Sequence, residues 1–173
     1  MMRNLILVSA LFLGPASVAF AKPNFPDKIT VEGKELLRQG QGTRKFAFWS
    51  VYDAALYVEQ PGHYDPKSPE TKVLRMHFLR DVSQKDSRGA MEKGLGKSCG
   101  KDCKLNFDEL FANVQPVKEG DVHEYVFMND ETRIDQAGHK NVYHVPGFSA
   151  VVLGTWIGDY PPTESLKKGL LGK

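Results

Sequence analysis

The stretch Thr43–Glu59, TRKFAFWSVYDAALYVE, decides how the chain is read. Its aromatic and β-branched residues predict strand, either one long strand or two meeting around Trp49-Ser50. At a period of two, Arg44, Phe46, Phe48, Tyr52 and Leu56 share a face. That face is apolar except where Arg44 opens it and Tyr52 interrupts it. A guanidinium stays charged and is awkward to bury without an anion or a hydrogen-bond acceptor. An apolar cavity ended by one Arg and one Tyr would suit a carboxylate or phenolate with an apolar body. On composition alone the simpler account is an Arg44 whose stem packs on the sheet edge while its head reaches water.

Outward from this stretch the pattern stays mixed. Lys28–Val31 and Glu35–Gln39 predict short strands on either side of Gly33, and Pro61-Gly62 and Asp65-Pro66 mark a loop. Thr71–Arg80 alternates, with Leu74, Met76 and Phe78 on one side and Arg75 and His77 on the other. Ser83-x-x-Asp86 can cap a helix that runs weakly to about Lys97, interrupted by Gly89, Gly94 and Gly96. Asn106-x-x-Glu109 opens a second, short helix with Phe107, Leu110 and Phe111 on its apolar side. Asp121–Met128, Glu131–Asp135 and Lys140–Val145 predict a three-strand meander. Phe148–Ile157 fits a helix, and Ser165–Leu171 a last one. Strands, helices, strands and helices in that order give an α+β fold with an antiparallel sheet.

Composition narrows the function. The chain has 173 residues, 41% hydrophobic and 25% charged, as in an ordinary globular domain. Its formal net charge of +2 shows neither the basic excess nor the basic stripe of a nucleic-acid binder, so no nucleic-acid partner is expected. Arg3, the apolar run Leu5–Leu13 and Ala19-Phe20-Ala21 follow the order of a secretory signal peptide, residues 1–21. The run is too short to span a bilayer, and no later segment is long and apolar enough. The expected product is therefore an exported, periplasmic or secreted domain of residues 22–173 with no transmembrane segment.

Export changes how Cys99 and Cys103 are read. In an oxidising compartment they can form a disulfide that stiffens a turn. A metal pair would need a second ligand pair nearby, and a redox pair favours C-x-x-C, so the structural bridge is preferred over both and over free thiols. The histidines at 63, 77, 123, 139 and 144 lack ligand spacing, and neither a metal nor a cofactor is expected. Gly94-Leu-Gly-Lys-Ser98 resembles a phosphate loop, but Met91 stands where that motif needs glycine. There is no G-x-S-x-G. No catalytic residue is assigned from the residues alone.

Five short segments in order then carry a resemblance: Gly42–Phe46 (GTRKF), Val51–Tyr57 (VYDAALY), Leu79–Ser83 (LRDVS), Trp156–Pro161 (WIGDYP) and Ser165–Gly172 (SLKKGLLG). From about Phe25 to Gly172 the chain resembles the chalcone isomerase-like family, in its bacterial exported branch. The resemblance implies an open-faced β-sandwich: a large antiparallel sheet with a helical layer on one face and a cleft between. In the family's plant cyclase an Arg and a Thr hold the substrate phenolate, helped by a Tyr and an Asn. Arg44 matches that Arg, while Tyr52 replaces the Thr. The Tyr and Asn positions fall near Asp86 and Lys93, and Ser149 matches a hydroxyl residue at the start of the late helix.

In the family's fatty-acid-binding members an Arg and a Tyr grip the carboxylate. Arg44 with Tyr52, or less closely Tyr57, resembles that pair. The implied function is a non-catalytic binder of a fatty acid or similar apolar anion, with Phe46, Phe48 and Phe78 lining the tail. One alternative is an intramolecular lyase or isomerase of an enone, Arg44 stabilising developing negative charge and Tyr52 and Asp86 moving protons. The other is a packed cleft and a protein partner.

Overall fold

In the computed structural model, residues 25–62, 65 and 68–173 are described; the expected signal peptide, with Pro66 of the expected loop, lies outside them. The deciding stretch folds as a hairpin. β2 (Lys34–Phe46) turns back through Ala47-Phe48 into β3 (Trp49–Val58), two residues before the expected break. Ala47 sits at φ 51°, a left-handed conformation that costs a residue with a Cβ about 1 kcal/mol. The expected short strand Glu35–Gln39 is not separate: β2 runs on through Gly40 and Gly42, with a bulge beside Gly40.

β1 (Lys28–Val31), β4 (Lys72–Phe78), β5 (Val122–Phe127), β6 (Thr132–Gln136) and β7 (His139–Tyr143) complete one antiparallel sheet in the order β1 to β7. Every strand pairs with its sequence neighbour, so the sheet is a seven-stranded meander. α1 (Gln84–Cys99) and α2 (Asp108–Ala112) connect β4 to β5, while α3 (Phe148–Ile157) and α4 (Glu164–Leu170) follow β7. This is the expected α+β architecture, an antiparallel sheet with helices layered on one face.

Side-chain parity divides the interior in two. Ala54, Leu56, Leu74, Met76, Phe78, Tyr125 and Phe127 face the helices and pack with Val152, Leu153 and Trp156 of α3. The alternate residues Ala55, Tyr57, Val73 and Val126 face the other way and are covered by Phe25, Ile29 and Leu36. α3 is buried nearly all round, because it lies between the sheet and α1. Ser83 caps α1 by accepting from the Asp86 N–H, as its spacing predicts. Cys99 closes α1 and is bridged to Cys103, with Cα atoms 5.2 Å apart.

α4 docks on β2 by direct backbone contact. A Cβ on Gly40 would meet Gly172 N at 2.7 Å and Leu170 O at 2.8 Å; one on Gly42 would lie 3.2 Å from Leu166 O. A Cβ on Gly169 would meet Gln41 O at 2.5 Å. Gln39 Nε2 donates to Leu171 O at 2.9 Å and ties off the helix end. Space at Gly96, by contrast, is open. Gly40→Ala is expected to cost at least ~2 kcal/mol in urea unfolding, because the neighbouring atoms are backbone. Gly96→Ala, in an exposed helix interior, is expected to gain about 0.5–1 kcal/mol in the same measurement.

Candidate functional site

Between the sheet and α1 opens a cleft of about 990 Å³. Its floor crosses five strands: Arg44 on β2, Tyr52 on β3, Met76 and Phe78 on β4, His123 and Tyr125 on β5, and Gln136 on β6. At the usual strand spacing this is a span of about 19 Å. Its roof includes Gly89, Met91 and Gly94 of α1, and Trp156 with Pro161-Pro162 closes one side. Gly89, with no side chain, leaves the roof open there.

Arg44 and Tyr52 are direct partners in the β2–β3 register, which puts both side chains on the cleft face. Arg44 is half-buried, and its Nη1 donates to Lys45 O at 2.7 Å and Pro162 O at 2.9 Å. Both acceptors are neutral carbonyls; among the described residues no carboxylate pairs with Arg44, so the positive charge is held in place without being neutralised. Nη2 and Nε have no protein acceptor among the described residues. Tyr52 is 9% exposed, and its Oη accepts from Trp156 Nε1 at 3.0 Å. Burial pushes the Tyr52 phenol up to about 12, against the opposing effects of the Trp156 hydrogen bond and the Arg44 charge. At neutral pH Tyr52 is therefore a hydroxyl, with its own proton free to donate.

From Tyr52 a row of rings continues along the floor. Phe78 packs edge-on at 5.4 Å between centroids, and His123 follows at 4.6 Å from Phe78. His123 is 3% exposed, and its Nε2 has no hydrogen-bond partner among the described residues. Neighbouring Gln136 has its Oε1 fixed by the Gln115 N–H at 3.0 Å, while its Nε2 likewise finds no partner among the described residues. The cleft is thus cationic at one end, aromatic along its floor and weakly polar at the far strands.

The other expected site residues separate from this pair. Tyr57 lies on the opposite face among Ala55 and Val73, because an odd spacing from Tyr52 reverses its direction. Its Oη has no hydrogen-bond partner among the described residues and the Arg75 guanidinium lies 5.8 Å from its ring, so it takes no part in the cleft. Ser149 is also elsewhere: its Oγ donates to Met128 O at 2.8 Å and lies 2.7 Å from Thr132 Oγ1, pinning the start of α3 to the β5–β6 turn. Phe48 does not line the cleft; it occupies the hairpin turn and is 99% exposed, since the chain reverses where a continuous strand would have turned it inward. Phe78 lines the floor, and Phe46 borders the mouth while staying 68% exposed.

Asp86 and Lys93 both line the cleft from α1, but the Asp86 carboxylate accepts from the Ser83 hydroxyl at 2.7 Å in the helix cap. Trp156, His123, Gln136 and the Pro162 carbonyl were not singled out from sequence. Only the register and the packing of α3 bring them to Arg44 and Tyr52.

His123 gives the cleft a pH response. Burial drives its imidazole down to about 4 from an ordinary value of 6.5, opposed by the charges of Asp121 and Asp135. Between those values the unfolded chain binds the proton and the folded chain does not, so stability falls as pH drops from about 6.5 to about 4. The loss should be on the order of 3 kcal/mol in urea unfolding, and His123→Gln should remove it.

Comparison with known proteins gives the family and the fold. A family described as chalcone isomerase-like matches residues 17–172. No curated protein matches the sequence. Among solved structures, a fatty-acid binding protein of Arabidopsis thaliana is similar with a TM-score of 0.65 at 13% identity, covering 85% of this chain and 90% of that one.

Proposed function

We propose that this chain, which belongs to the chalcone isomerase-like family, is a non-catalytic binder of a fatty acid or similar apolar anion. The observation that carries the reading is Arg44: a half-buried guanidinium without a carboxylate partner among the described residues, at the end of an aromatic cleft and opposite a neutral Tyr52 hydroxyl. A ligand carboxylate accepts from Arg44 Nη2 or Nε and from the Tyr52 O–H, each bond made stronger by the charge of its partners. The acyl chain lies along Phe78 and Met76 under α1. A volume of about 990 Å³ is at the upper end of small-molecule sites and suits a long flexible chain. The likeness in fold to a plant fatty-acid binding protein supports the same ligand class.

Titration with a long-chain fatty acid tests the reading. Arg44→Ala should weaken binding roughly 10- to 100-fold, the worth of a charge-assisted hydrogen bond, while the melting temperature stays close to that of the parent. Tyr52→Phe should weaken it by a smaller factor. Unchanged affinity in Arg44→Ala overturns the proposal. So does turnover of a hydroxychalcone by the parent that Tyr52→Phe abolishes, which would make the protein an isomerase.

The same proposal places the protein in the periplasm after cleavage behind Ala21. The leader pattern and the Cys99–Cys103 bridge, a bond that persists in oxidising compartments, support this. Amino-terminal sequencing of the exported protein should read from Lys22; a product found only in the cytoplasm with its first residues intact contradicts it.

A further inference from the structure

The hairpin tip between β2 and β3 carries three large aromatic residues that the fold leaves in water: Phe46 at 68%, Phe48 at 99% and Trp49 at 63% exposure. Each such side chain carries roughly 150–250 Å² of surface, so the tip is an apolar patch of several hundred Å², at the limit of what a monomer exposes without use. Phe46 and Trp49 also border the mouth of the cleft.

Cations surround that mouth. Lys45 is exposed beside Phe46, and the Arg80 guanidinium lies 5.2 Å from the Trp49 ring. Lys85, Lys93 and Lys97 line the same cleft from the exposed side of α1. Two acids share this rim, and both are engaged: Asp81 accepts from Lys118 Nζ at 3.1 Å and from the Glu119 N–H at 2.8 Å, and Asp86 is held in the Ser83 cap. The surface therefore combines protruding aromatics with a positive collar. A second copy of the chain would bring the same positive collar against its own, which disfavours self-association.

We infer that this hairpin tip docks the protein on an anionic phospholipid bilayer, with Phe48 and Trp49 inserted at the headgroup level and the cleft mouth facing the lipid. Trp prefers this depth because its ring is apolar on one side and carries an N–H on the other. Lysines and arginines around inserted aromatics add attraction to anionic headgroups that salt weakens. Docking in this orientation lets an acyl chain pass between bilayer and cleft without crossing water. The inference goes beyond the ligand reading and does not depend on it, since Phe48 touches neither the cleft nor Arg44.

Flotation of the ligand-free protein with vesicles is the test, using phosphatidylcholine alone and phosphatidylcholine mixed with phosphatidylglycerol. The protein should float with the mixed vesicles at low salt, less at high salt, and far less with phosphatidylcholine alone. Phe48→Ser, at a fully exposed turn, should keep the parental melting curve and its affinity for dissolved fatty acid. It should lower vesicle partition roughly tenfold or more, and Phe48→Trp should restore it. Lipids brominated in the acyl chain should quench Trp49, while Trp156, 8% exposed, keeps its emission.

Absence of flotation at low salt overturns the inference, as does flotation that Phe48→Ser leaves unchanged. A concentration-dependent dimer that Phe48→Ser dissociates, without vesicle binding, would assign the patch to a second copy and equally overturn it.

Discussion

The backbone of α4 rests on the backbone of β2, and the cleft depends on that contact. Only glycine at 40 and 169 lets the two main chains approach so closely, and Gly42 adds a further tight contact. With α4 seated, Thr163 caps it by accepting from the Leu166 N–H, and the preceding Pro161-Pro162 turn is fixed beside β2. Pro162 then presents the carbonyl that accepts from Arg44 Nη1. The docking of α4 on β2 thereby sets the direction of the guanidinium at the anion-holding end of the cleft.

The manner in which Arg44 is held matters as much as its position. A carboxylate partner would satisfy the guanidinium and cancel the field it sends into the cleft. Two carbonyls orient it and leave the field standing. Tyr52 is treated in a parallel way: Trp156 donates to its oxygen and burial keeps the phenol protonated, so its hydrogen points to whatever acceptor enters. These two devices make the end of the cleft an anion acceptor before any ligand arrives, which lowers the ordering cost of binding.

The sheet was legible in the sequence because alternation is a local property. Leu74, Met76 and Phe78 could be assigned to one face without knowing the neighbours, and Asp121–Met128, Glu131–Asp135 and Lys140–Val145 show the last three strands. The same parity rule already separated Tyr57 from Tyr52, whereas the family pattern drew the two together. Phe48 failed for the opposite reason: parity holds only within a strand, and the reversal at Ala47-Phe48 has no Asn-Gly or Gly-Gly to announce it. Ser149, matched only by family position, went instead to a structural bond at the start of α3. Trp156 and Pro162 could not be found from spacing, because what brings them to Arg44 is helix docking over a separation of more than a hundred residues.

The meander order of the sheet has a consequence for how the chain folds. Each strand pairs with the one made just before it, so pairing can spread along the sheet in chain order, with one long closure where α1 and α2 separate β4 from β5. α4 is the exception, since its partner β2 lies near the other end of the described chain, as in the Gln39–Leu171 bond. During synthesis the glycine-lined segment of β2 stays uncovered until α4 has emerged. The end of the cleft that holds Arg44 is therefore completed only after α4 has emerged and docked, later than the strands that carry Arg44 and Tyr52.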